Sequence, residues 1–170
     1  MGLRTGMLSA FTLSTAMSFG IAAMAGDLPK EGSDTGTYSG FGTYKAIPIG
    51  KERLLIIWDE NGLNLSDGYQ DHTASHCWGT GDYTNGVGQD QGYCVLTDPA
   101  GDQIVDIVRT EQHPLDQKTY HVTDTWSGGT GKYAGISGGG TMLCHSGEFK
   151  ANEGTYLQHC TWSKEPYKLP

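Results

Sequence analysis

Three histidines in this chain stand directly beside cysteines: His76 before Cys77, His145 after Cys144 and His159 before Cys160. Imidazole titrates near neutrality, so histidines brought together can exchange protons with a bound molecule or hold a metal ion. The cysteines supply a way of bringing them together. Cys77, Cys94, Cys144 and Cys160 make an even count, which in an exported chain reads as two disulfides. Three connectivities exist, and Cys77–Cys94 with Cys144–Cys160 is favoured because each pair brackets a plausible hairpin. A structural zinc site is the alternative for four cysteines, but the chain has no C-x-x-C, and no metal is expected.

A bridge from 144 to 160 across an antiparallel pair places His145 opposite His159. Adjacent residues point to opposite faces, so the disulfide and the histidine pair take opposite sides of the wall, with opposed Cβ atoms ~4.5–5.5 Å apart. A bridge from 77 to 94 likewise sets Trp78 against Tyr93 and puts His76 on their face. If that face is the interior, His76, His145 and His159 are the acid–base candidates. Trp78, Tyr93 and Tyr133 are then the aromatic ligand contacts. The competing reading has these histidines facing solvent or satisfying the wall. Other candidates are weaker. His72 and His76 have a spacing that aligns ligands only on a helix. Asp106 lies on the opposite strand face from Arg109 and Glu111, and is read as a solvated outer charge in preference to a buried acid. No G-x-S-x-G elbow or recognisable triad spacing is present.

The elements that must position these residues are short β runs separated by turn residues. Thr37 to Ile47, a buried run Leu54 to Trp58, Leu63 to Leu65, Ser75 to Trp78, Gly92 to Thr97, Ile104 to Thr110, Thr119 to Trp126, Tyr133 to Cys144 and Thr155 to Ser163 read as strands. Asn61-Gly62 reads as a hairpin turn. Half of the residues from Gly128 to Thr141 are glycine, which excludes a helix and fits a sharply bent strand. This predicts an all-β fold, a single antiparallel β-barrel of about eight strands stapled by disulfides.

That glycine-rich stretch, Gly128-Gly129-Thr130-Gly131-Lys132-Tyr133-Ala134-Gly135-Ile136-Ser137-Gly138, resembles the signature of the allene oxide cyclase and dirigent-like β-barrels, above all their bacterial secreted relatives. The resemblance covers roughly residues 119 to 144, with a looser echo from Cys77 to Asp106. It implies an eight-stranded antiparallel barrel with a ligand-sized lumen, and it carries over no catalytic residue. Nucleotide readings of the same glycines fail: a P-loop lacks its first glycine, where Trp126 stands, and its Ser or Thr, where Tyr133 stands. A dinucleotide fingerprint must open a helix, which Ser137-Gly138-Gly139-Gly140 forbids.

Residues 1–25 read as a signal peptide, with Arg4 as the sole charge, an apolar stretch from Met7 to Ala23 and the small-residue site Ala23-Met24-Ala25. Residues 26–170 are then one exported domain, secreted or periplasmic. With Arg4 removed, 10 basic against 19 acidic residues leave a net charge of −9, which argues against nucleic-acid and anionic-membrane partners. No cofactor is expected, and homo-oligomer formation is left open. The expected function is binding of a small apolar or aromatic molecule in the lumen. The alternative is an acid–base cyclase or isomerase in the same pocket.

Overall fold

The computed structural model describes residues 28–147 and 154–170. The expected signal peptide and its cleavage site lie outside the described residues. The chain forms β1 (Glu31–Ile49), β2 (Arg53–Ser66), β3 (Ala74–Thr84), β4 (Val87–Thr97), β5 (Gln103–Thr110), β6 (His113–Pro114), β7 (Thr119–Gly129), β8 (Ser137–Gly138), β9 (Thr141–Ser146) and β10 (Thr155–Lys168). All pairings are antiparallel. β1 pairs with both β2 and β10, which closes a ring in the order β1-β2-β3-β4-β5-β7-β8/β9-β10. β8 and β9 act as one interrupted strand, each pairing with β7 and β10, so the ring has eight strands. The small β6 pairs with β4 at the rim.

Strict alternation decides what enters the ring. On β3, Ser75, Cys77 and Tyr83 are buried, whereas His76, Trp78 and Asp82 are exposed. Both disulfides form as expected, Cys77–Cys94 and Cys144–Cys160, and each joins directly opposed residues with Cα atoms 4.0 Å apart. All four cysteines are buried on the inner face. Two such bridges fit an oxidising compartment. Among the described residues no helix is long and apolar enough to cross a membrane.

One end of the ring is plugged. Tyr133 is 1% exposed and donates its hydroxyl to the Tyr69 carbonyl at 2.8 Å. The rings of Tyr69 and Tyr167 lie 4.4 Å apart, and Ile104, Trp126 and Ile136 fill the space beside them. The glycine-rich stretch builds this plug and is not the single bent strand expected from Tyr133 to Cys144. After Gly128 and Gly129 end β7, it makes a 3-10 turn at Gly131–Tyr133, sends Tyr133 and Ile136 inward and re-enters the sheet at Ser137. Gly138 and Gly139 have φ of 128° and 117°, and a Cβ on either would overlap the backbone of β10 or β7.

The turn chemistry also moves. Asn61-Gly62 lies within β2, paired with β1 and β3 throughout. The hairpin turn belongs to Asn85-Gly86, with φ of 52° and 78°, between β3 and β4. That is the geometry an Asn-Gly turn favours. Gly62 is kept for space: a side chain there would overlap the ring of Tyr38. The Leu54–Trp58 run is half-buried, with Ile56 inward and Ile57 out in solvent.

Candidate functional site

Within the ring lies a cavity of about 840 Å³. It extends from a floor above the plug to the rim carrying the Asn85-Gly86 turn and the Pro114–Lys118 segment. Its wall is aromatic and aliphatic, with Tyr38, Trp58, Tyr83, Tyr120, Tyr156, Ile56, Val122 and Met142 alongside both disulfides. Polar groups sit in this wall at three depths.

Nearest the rim, Tyr83 donates to Asp90 Oδ2 at 2.5 Å, and His113 Nε2 stands 3.8 Å from the same oxygen. His113 Nδ1 lies 2.8 Å from the Pro114 carbonyl, which fixes it as the N–H nitrogen and turns Nε2 to the carboxylate. The ring stacks on Tyr120, with centroids 4.7 Å apart and planes 5° from parallel. Burial works against a charge on His113, but the nearby Asp90 carboxylate and the hydrogen bond to Pro114 outweigh it and raise its pKa.

At mid-depth Glu60 is buried, and the phenols of Tyr156 and Tyr38 face its carboxylate. The hydrogen-bond network orients the Gln158 amide so that its nitrogen donates to both Glu60 oxygens, at 3.1 and 3.2 Å, while its oxygen accepts from Tyr120 at 2.8 Å. Burial pushes the Glu60 pKa up against the opposing effect of these phenols, and burial next to Glu60 raises Tyr38 and Tyr156 as well. Inward glycines make room for the group: a Cβ at Gly40 would overlap Glu60 and Tyr38, and one at Gly42 would overlap Tyr156.

At the floor Asp106, Asp124 and Glu165 are buried together. Two bulges aim them. Val105 and Asp106 oppose Gly128 and Trp126, so β7 carries one extra residue there. On β10 the step from Trp162 to Glu165 faces the shorter step from Gly36 to Asp34, with Lys164 left-handed at φ 55°. Such bulges redirect side chains, and here Glu165 turns inward. Burial raises Asp106 and Glu165 to about 7, and Asp124 is raised by burial and by its acidic neighbours. Asp34, just outside the cavity, is fully committed. It accepts from Ser66 Oγ, the Gln70 backbone and side-chain nitrogens and Trp162 Nε1 at 2.8–3.2 Å.

The residues expected from the sequence lie elsewhere. His145 and His159 do pair directly, but on the outer face, where Thr119 Oγ1 and Ser39 Oγ stand 2.9 and 3.0 Å from their Nδ1 atoms. His76 is also outside, bonded to Asp59 at 3.0 Å. The three histidines therefore do not converge in the lumen. Trp78 and Tyr93 oppose each other as expected, yet at 42% and 51% exposure they face solvent. Tyr133 is inside, but in the plug, bordering a smaller cavity of about 350 Å³ at the closed end. For the outward-facing residues the physical reason is common: half-cystine is apolar and partitions inward, so its neighbours on the strand go out. Asp106, read as an outer charge, is 3% exposed inside the lumen, while Arg109 and Glu111 are exposed.

The lumen acids carry a signal in the sequence itself. Ile56-x-Trp58-x-Glu60, Ile104-x-Asp106-x-Val108 and Val122-x-Asp124-x-Trp126 each place a carboxylate in phase with apolar inward residues. A carboxylate on the apolar phase of a strand is a buried carboxylate. The parts of the site thus come from every strand but the short β8. No known protein family, curated protein or solved structure matches the chain.

Proposed function

We propose that the chain is an exported β-barrel that binds a small apolar or aromatic molecule in its lumen. The cavity carries this reading: its volume of about 840 Å³ lies in the range of drug-sized ligand sites, which are mostly apolar with a few placed polar groups. The signal-peptide-like residues 1–25 and the two disulfides fit export. The resemblance to allene oxide cyclase and dirigent-like barrels supports the same use of the lumen. Lumen tryptophans give the test its signal. Aromatic ligands should change the fluorescence of Trp58 or Trp126 and raise Tm, and a lumen-filling Val122→Trp variant should bind them markedly less. Equal binding by that variant would reject the lumen as the site.

A second reading, acid–base conversion of the bound molecule, is favoured by Glu60. A buried carboxyl with a raised pKa, held among Tyr38, Tyr156 and Gln158, can give a proton to a lumen ligand or take one from it. His113 beside Asp90 forms a second proton-transfer group nearer the rim. Under this reading Glu60→Gln keeps ligand binding and loses turnover.

A further inference from the structure

The floor of the lumen is rich in acceptors and, among the described residues, has no cationic donor. Asp124 touches both Asp106 and Glu165, and ionised carboxylates offer only acceptors to one another. Asp124 Oδ2 and Glu165 Oε1 are buried with no hydrogen-bond partner among the described residues. The nearby amide cannot supply one, because Gln70 already donates to Glu165 Oε2 at 2.9 Å and Asp34 Oδ1 at 3.2 Å. Basic residues lining the cavity, among those described, are His113 near the rim and the exposed Arg109 and Lys118. The carboxyls also do not form a metal-binding group among the described residues.

What is missing is a compact donor with positive charge, and the walls above it are aromatic. We propose that the lumen takes a primary amine carried on an aromatic body, with the ammonium seated against Asp106, Asp124 and Glu165. This rests on the lumen-binding reading above. A primary ammonium has three N–H donors, enough for the two orphaned oxygens and one more. Tyr38, Trp58 and Tyr120 line the channel through which the body would lie, and ring faces attract cations on the way in. A net charge of −9 on residues 26–170 favours approach of a cation.

Empty, the floor must hold protons, because isolated buried carboxylates are costly. Asp106 and Glu165 accordingly titrate at about 7. Other titratable groups packed around them are Asp34 on β1, Tyr167 on β10 and Tyr69 in the loop after β2. An ammonium replaces those protons, so its binding releases protons near neutrality and weakens as the medium is acidified.

The test is calorimetric titration of tyramine and tryptamine against their neutral counterparts, tyrosol and tryptophol, at neutral pH. Each amine should bind roughly ten- to a hundredfold tighter than its alcohol, as a charge-assisted hydrogen bond gives. Asp124→Asn combined with Glu165→Gln should abolish most of that preference. Buffers of different ionisation heat should show proton release with the amines and none with the alcohols. Alcohols binding as well as amines, or an unchanged preference in the double variant, would overturn the ammonium seat and leave lumen binding standing. No binding of either class would overturn both. Should the double variant fold poorly, the wild-type preference and proton release decide alone.

Discussion

Inward glycines and buried acids carry this structure at the residue scale, and both make measurable demands. A Cβ at Gly62 would overlap the Tyr38 ring, and one at Gly79 or Gly92 would overlap the indole of Trp58. Gly62→Ala should therefore cost about 1–3 kcal/mol, the usual penalty of overpacking, as read by urea denaturation. The acids set an unusual pH dependence. Burial raises Glu60, Asp106, Asp124 and Glu165 above the ordinary carboxylate range, and His113 is raised as well. Raised folded-state values mean that the folded chain holds more protons than the unfolded chain between ~4 and ~7, so stability falls as pH rises through that window. The lowered carboxyls Asp71, Asp82, Asp98 and Glu111 act oppositely, and lose their contribution only as pH falls below their ordinary value of ~4. Tm of the ligand-free protein should rise as pH is lowered from about 8 to about 5, and Asp124→Asn should flatten that slope. A Tm that falls across the same window would contradict the buried-acid floor. The outer histidines make the opposite demand. His145→Ala and His159→Ala should each stay within about 0.5 kcal/mol of the parent, as exposed substitutions do, with lumen binding unchanged.

Pairing was legible in the sequence at the scale of elements; facing was not. The hairpin spacing of the cysteines pointed to both disulfides, and register arithmetic starting from them placed the His145–His159 and Trp78–Tyr93 pairs, because it needs only the chain positions of two bridged cysteines. Arithmetic cannot say which side of a strand is wet. Partitioning of half-cystine and imidazole decides that, and it reverses the expected site. Turn signals failed in a similar way. Asn61-Gly62 and Asn85-Gly86 have the same local preference, but the first is held in strand by pairing on both sides and by the space Tyr38 needs. The plug at Tyr133 was illegible because its glycines serve a fold-back that depends on Tyr69 and Tyr167, far away in sequence. The two bridges span 17 and 16 residues, and a loop of that length gives about 3 kcal/mol in the chain-entropy account. Replacing Cys77 and Cys94 together by Ala should cost that much in chemical denaturation. A loss under about 1 kcal/mol would show that the unfolded chain is already held compact.

As a whole molecule, the protein is a ring closed at one end by aromatic packing, with a polar-studded lumen reaching the other end. Its outer wall carries Phe41, Leu63 and Leu157, which are exposed, so an apolar ligand has two surfaces to choose between. The central claim is that it chooses the inside. Methyl-resolved NMR during titration with tryptamine and tryptophol separates the two most directly. The account predicts saturable shifts at Ile56, Val108, Val122 and Met142, which border the lumen, with Leu63 and Leu157 unmoved. Shifts confined to Leu63 and Leu157, or no saturable shift at the four lumen methyl residues, would contradict it.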